Sequence, residues 1–116
     1  LTQLFLDPIG LWIISPREKE WNEYELLIEH QNNLVTRIID RAYEENNQFW
    51  IVDFKTGRED SLNQLQYTQQ LNDYAFYLSH RTHLPIYCGL YYLATGHWIT
   101  WPYQPVENKI DSRIME

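Results

Sequence analysis

The sequence predicts a mixed α/β (α+β) domain built on one central β-sheet with a flanking helix. Three observations carry this. Three β-rich runs follow one another across short Asn-containing turns. A long segment then places residues at helical spacing, and two further β-rich runs close the pattern around a glycine turn. The length of 116 residues suits one domain with a single modest core, so residues 1–116 are expected to form one domain.

Taken in order, "DPIG" at 7–10 is a turn signal, and "LWIIS" after it reads as a short strand that ends before Pro16. "PREKEWNE" at 16–23 is polar and reads as solvated. "YELLIEH" and "LVTRIIDRAY" are strands joined through "QNN", and "ENNQ" turns the chain into a third strand, "FWIVDFKTG". Between Ser61 and Leu78 the period changes. Leu62, Leu65, Gln69 with Gln70, Tyr74 and Tyr77 with Leu78 recur three and four apart, the spacing of one helix face, with Ser61 or Asp60 as N-cap. "PIYCGLYYLATG" and "HWITW" are two more strands, parted at Thr95-Gly96. The order is β-β-β-α-β-β, with a helix expected to be missing at the front.

Composition narrows the classes. The one cysteine, Cys88, allows neither an internal disulfide nor a Cys-based zinc site, and in an apolar run it reads as a small core residue; a reducing cytoplasm fits. No segment approaches the roughly 20 apolar residues of a membrane span, and the start shows no signal-peptide pattern. It also enters without Met, as an excised piece of a longer chain would. The net charge of −7 argues against a general nucleic-acid-binding surface, which needs Lys and Arg, but suits a site that collects a divalent cation.

Asp53 and Lys55 stand two apart on the third strand and therefore emerge on the same face. Asp40 closes the preceding run, and a hairpin through "ENNQ" would bring it towards Asp53. Two carboxylates and one ammonium suit a hard metal ion acting on a phosphoryl group. Spacing alone reads first as an exposed ion pair on an edge strand, with Asp40 a turn residue. His30, His80, His83 and His97 show no ligand spacing, and His80 and His83 suit the dipole at a helix end. The Trp and Tyr residues could stack unpaired bases, but on strands they read first as core and cross-strand pairs. There is no Walker A, G-x-S-x-G or H-E-x-x-H motif.

Together, "RIIDRAY", "WIVDFKTG" and "QQLNDYAFYL" resemble the RecB/AddA-type nuclease domain of the PD-(D/E)XK superfamily, which ends many helicase–nuclease chains of bacterial double-strand-break processing. The likeness runs over residues 23–93, and the flanks "DPIGLWIISP" and "PIYCGLYYL" are similar as well. It implies a restriction-endonuclease-like core and a Mg²⁺- or Mn²⁺-dependent deoxyribonuclease of exonuclease type. The implied partners are DNA and helicase domains of the same chain or of another subunit.

Residue by residue, the resemblance makes Asp40 and Asp53 metal ligands, helped by the backbone carbonyl of Phe54. Lys55 would place the attacking water and stabilise charge. Gln70 and Tyr74, one turn apart, would line the site, touch the DNA backbone or brace the strand; a helix face merely packed on the sheet serves their spacing too. Glu23 or Glu25 would add a carboxylate, with Glu29 a third candidate. Three departures stand against this. Arg37 and Ile38 occupy positions where the family usually has glycine, and Phe54 replaces the common Tyr. No upstream helix with a further ligand is evident in residues 1–20, where Glu18 and Glu20 are poor substitutes. A catalytically inactive nuclease-fold module that grips DNA or the helicase domains is the alternative, and a stand-alone structure-specific or restriction-type nuclease on the same fold is a third reading.

Overall fold

The computed structural model describes residues 7–57 and 59–105. Helix α1 (Pro8–Ile14) leads into strands β1 (Glu20–His30), β2 (Asn33–Glu45) and β3 (Gln48–Lys55). Helix α2 (Ser61–Leu78) and strands β4 (Ile86–Tyr92) and β5 (Trp98–Pro102) follow. The five strands lie in the order β1-β2-β3-β4-β5. Every neighbouring pair is antiparallel except β3 and β4, which run parallel with α2 as their crossover. The expected mixed sheet with a flanking helix is the observed fold.

Both tight hairpins are fixed by asparagine-containing turns. Gln31 and Asn32 adopt φ of 51° and 66°, and Asn46 and Asn47 adopt 52° and 63°. These are the doubly left-handed turns whose twist matches that of the strands, and asparagine enters that region at low cost. The β1–β2 hairpin reaches well beyond the rest of the sheet, because β2 pairs with β3 only from Arg41↔Val52 to Glu45↔Gln48.

The start of the chain differs from the expectation. Residues 8–14 are helical, where the sequence reads as a turn and a strand. Asp7 caps the helix, its Oδ2 accepting the Gly10 N–H at 3.2 Å, and Pro8 opens it in the position that needs no N–H. Ile13 is buried with Tyr43, Val52 and Tyr91 on the outer face of the sheet. Guanidiniums from outside the helix finish it: Arg41 Nε, distant in sequence, and the nearby Arg17 Nη1 both donate to the Ile13 carbonyl, at 2.9 and 3.0 Å. A seven-residue segment cannot hold a helix by propensity, so the packing of Ile13 on the sheet and the bond from Arg41 decide its conformation. The "PREKEWNE" stretch is likewise less solvated than expected. Arg17 is largely buried, pairing with Glu45 at 2.8 Å, and β1 already begins at Glu20.

Helix α2 spans the residues predicted for it, capped by Asp60, whose Oδ1 accepts the Asn63 N–H at 2.8 Å. Its inward face is not the predicted one over the first half. The buried stripe is Leu71, Tyr74, Ala75 and Leu78, whereas Leu62 and Leu65 are 68% and 55% exposed. Leu62 precedes Leu71 by two and a half turns and so points to the opposite side. The main core lies between α2 and the sheet, from Leu26 and Ile39 through Ile51 to Cys88 and Leu90. Among the described residues, no helix is long and apolar enough to cross a membrane.

Candidate active site

Three charged side chains meet where β2 and β3 stop pairing. The last cross-strand pair is Arg41↔Val52, so Asp40 and Asp53 stand at the next position, where the two strands diverge. The side chains replace the missing ladder. The Asp40 N–H donates to Asp53 Oδ1 at 3.3 Å, and the Phe54 N–H donates to Asp40 Oδ2 at 2.8 Å. Each carboxylate therefore satisfies a backbone donor of the opposite strand, which fixes both without further help.

Asp53 is not part of an exposed ion pair on an edge strand. It lies on a central strand, 6% exposed, on the face covered by α2. Lys55 shares that face, with Nζ 3.6 Å from Asp53 Oδ2 and a side chain that is 17% exposed. Burial, above all, pushes the Asp53 carboxyl above its ordinary range; the Asp40 charge adds to this, and Lys55 works against it. Tyr67 of α2 completes the seat of the lysine, since Lys55 Nζ lies 4.0 Å from the centre of its ring.

The backbone carbonyl of Phe54 belongs to the same stretch of β3. Its ring turns to the other face of the sheet and meets Tyr91 edge-on, 6.3 Å between centres. The phenylalanine ring thus leaves the site face free.

Of the helix residues, Tyr74 is buried in the main core and Gln70 is exposed. Burial, first, and then the Asp53 charge raise the Tyr74 hydroxyl pKa, while Arg37 draws it down. Tyr74 thus feels the charges of both Asp53 and Arg37. Both Gln70 and Tyr74 line a cleft of about 290 Å³ between the β1–β2 hairpin and α2, shared with Arg37.

The three glutamates of β1 are placed differently. Glu25 and Glu29 are exposed and alternate with the buried Leu26 and Ile28, so they face away from α2. Glu23 lies between the pairs Asn22↔Arg41 and Tyr24↔Ile39, opposite Asp40, with a φ of 56°. Among the described residues no three Asp, Glu, His or Cys side chains are gathered closely enough to hold a metal by themselves. The Asp40–Asp53 pair nevertheless fits a hard divalent cation of the Mg²⁺ kind. Such ions keep several waters and take one or two carboxylates together with substrate phosphate. The two carboxyls are held together by backbone donors, and burial first and the Asp40 charge second disfavour the charged form of Asp53, which a bound cation would offset.

Three features were not read from the sequence. Tyr67 sits one turn before the expected glutamine and carries no motif of its own. Tyr92, paired with Lys55 in the β3–β4 register, stacks on His97 with 6.0 Å between ring centres. His97 Nδ1 is bonded to Glu59, which also accepts from Thr95 Oγ1 at 2.8 Å. Only the exposure of His97 beside a glycine turn could have drawn attention to that pair. Cys88, as expected, is a buried core residue, its thiol pushed up to about 12, mainly by burial. His80 sits at the helix end, its Nδ1 3.0 Å from the Phe76 carbonyl.

The sequence matches the family described as "PD-(D/E)XK nuclease superfamily" over residues 10–100, most of the chain. The chain belongs to the PD-(D/E)XK nuclease superfamily. Members are generally nucleases that use divalent metals, so nuclease activity on DNA is the activity that membership suggests. No curated protein matches. The solved structure described as "Crystal structure of SSO0001" is similar in fold, with a TM-score of 0.53 at 16% identity over 94% of this chain. This chain spans 52% of the length of that structure.

Proposed function

We propose that this chain is the metal-dependent deoxyribonuclease domain of a RecB/AddA-type helicase–nuclease, hydrolysing phosphodiester bonds during double-strand-break repair and recombination. The observation that carries the catalytic reading is the meeting of Asp40, Asp53 and Lys55 at the point where β2 and β3 part. The repair setting and the helicase partner rest on the motif series around these residues. So does the reading of residues 1–116 as one domain of a longer chain acting in the cytoplasm.

In this reading Asp40, Asp53 and the Phe54 carbonyl hold Mg²⁺ or Mn²⁺. When bound, such an ion polarises a phosphoryl oxygen and makes water a better nucleophile at neutral pH. Lys55 does the remaining electrostatic work. Its ammonium, fixed between Asp53 and the Tyr67 ring, orients the attacking water and faces the charge that develops on the phosphoryl oxygens. Tyr74 braces the strand from beneath, and Gln70, at the exposed edge of the cleft, reaches the DNA backbone.

End-labelled linear single- and double-stranded DNA, incubated with the chain in Mg²⁺, Mn²⁺ or EDTA, tests this directly. Metal-dependent cutting that disappears in Asp53→Ala and Lys55→Ala supports the assignment, and the product ladder gives exonuclease or endonuclease mode. DNA retention without cutting under every metal condition would transfer the chain to the inactive, DNA-gripping alternative.

A further inference from the structure

The cleft between the β1–β2 hairpin and α2 contains a cation that pairs with no carboxylate among the described residues. Arg17, Lys19, Arg41 and Lys55 each pair with a carboxylate, whereas among the described residues Arg37 and Arg81 do not. Arg37 lies on the face of β2 that turns towards α2, between Val35 and Ile39, both of which pack in the main core. It is half-buried, and its hydrogen bond, from Nη1 to the Thr36 carbonyl at 3.3 Å, leaves most of the guanidinium donors free to take another partner.

Opposite it, α2 contributes the exposed amides of Gln66, Gln69 and Gln70, and His30 closes the far end. Asp73 is the one acidic side chain in the lining. The result is a trough of amide and guanidinium donors, walled by the hairpin on one side and the helix on the other. Tyr74, on which the Asp53 charge acts, is part of its lining and links it to the carboxylates. A protein of net charge −7 repels nucleic acid over most of its surface, so a local run of donors decides where a strand can lie.

We infer that this trough seats the sugar–phosphate backbone of a single DNA strand leading to or from the cleavage point, with Arg37 as its principal phosphate contact and Gln66 and Gln69 as neutral donors. The inference rests on the nuclease reading above. The volume of about 290 Å³ and the two facing walls suit one strand rather than a duplex. Arg37 needs no base identity to act, so the contact positions the strand without selecting sequence.

The test is fluorescence anisotropy of a labelled single-stranded oligonucleotide in EDTA, where no cutting occurs, over a series of KCl concentrations. The proteins are the unaltered chain, Arg37→Gln, Arg37→Lys and Arg81→Gln, each checked for native circular dichroism. Arg37→Gln is expected to bind several-fold more weakly and to lose about 0.7 from the slope of log affinity against log salt, the share of one phosphate contact on a single strand. Arg37→Lys retains the slope, and Arg81→Gln behaves as the unaltered chain. A wild-type slope in Arg37→Gln overturns the inference, as does an equal loss in Arg81→Gln or no binding by the unaltered chain. Single-turnover cutting in Mg²⁺ is read separately. A chain that never cuts while Arg37→Gln loses its slope keeps the strand seat and removes the nuclease reading; a chain that cuts while the slopes agree does the reverse.

Discussion

Asp40 and Asp53 exchange backbone bonds: each carboxylate accepts an N–H from the other's strand, at 3.3 Å from Asp40 and at 2.8 Å from Phe54. The two groups that define the site are also the groups that end the β2–β3 ladder. Folding of the sheet therefore sets the separation of the carboxylates, and a cation held by them would find them already placed. The arrangement has a cost, because it puts two like charges together with Asp53 buried.

That cost gives a pH signature. The native Asp53 pKa is raised, so between the ordinary aspartate value, about 4, and the raised one the folded protein holds a proton that the unfolded chain has released. Stability accordingly falls as pH rises through that window and stays lower above it. Asp53→Asn keeps an oxygen for the Asp40 N–H and removes the charge. In EDTA at pH 7 it should melt at a higher temperature than the unaltered chain, and the advantage should vanish at pH 3. Added Mg²⁺ should raise the melting temperature of the unaltered chain only. A lower melting temperature for Asp53→Asn in EDTA at pH 7 would contradict the assignment of Asp53 as the strained charge.

Lys55 depends on an aromatic wall. A partly desolvated ammonium over a ring face gains about 1 kcal/mol, and Nζ lies 4.0 Å from the Tyr67 centre. Lys55→Ala should slow cutting by about 10² to 10³-fold, the loss expected for a charge-stabilising donor. Tyr67→Leu should slow it by about fivefold, the rate equivalent of that 1 kcal/mol. Tyr67→Phe preserves the ring and should stay near the parent rate. Equal losses in the Phe and Leu variants, measured under single turnover, would place the effect in the hydroxyl instead.

How far the sequence reveals this molecule follows from where each determinant sits. The hairpin turns, β3, the parallel crossover helix and the approach of Asp40 to Asp53 are written locally, in Asn-containing turns, strand alternation and spacing. Helix α1 is not, because its end is completed by Arg17 and Arg41 from outside it. The inward face of α2 is misread for a similar reason. Leu62 and Leu65 have the right residue type and the wrong phase, and only docking against the sheet selects Leu71, Tyr74 and Leu78. Tyr67 and Arg37 escape because a cation–π contact and an unneutralised cation are properties of neighbours rather than of a motif.

Glu23 is a position where backbone and chemistry can be separated. A φ of 56° inside a strand costs a residue with a Cβ about 1–2 kcal/mol. Glu23→Gly should therefore be at least as stable as the parent, within about 1 kcal/mol, while Glu23→Val should be clearly less stable in urea titrations. Glu23 faces Asp40 across the hairpin and Glu25 faces away from α2. If a β1 glutamate serves the site, Glu23→Gly slows cutting more than Glu25→Gln does. The opposite order would remove Glu23 from the site.

Gly89 tests the far side of the sheet that carries Asp53. It lies on β4 beneath the Trp98 indole, and a Cβ there would fall 2.1 Å from Cη2 and 2.6 Å from Cζ3 of that ring. The ring cannot simply step aside, since it also packs edge-on to Trp12 and stacks on Trp50. Gly89→Ala should thus cost about 1–3 kcal/mol by overpacking, with a change in near-ultraviolet circular dichroism as the indole is displaced. Removing the obstruction reverses the sign: in a Trp98→Ala background the added methyl meets no ring, and alanine loses less chain entropy than glycine in a strand. There Gly89→Ala should be neutral or stabilising. A double-mutant cycle in urea measures the difference, and additive costs would mean that Trp98 does not cover Gly89 in solution.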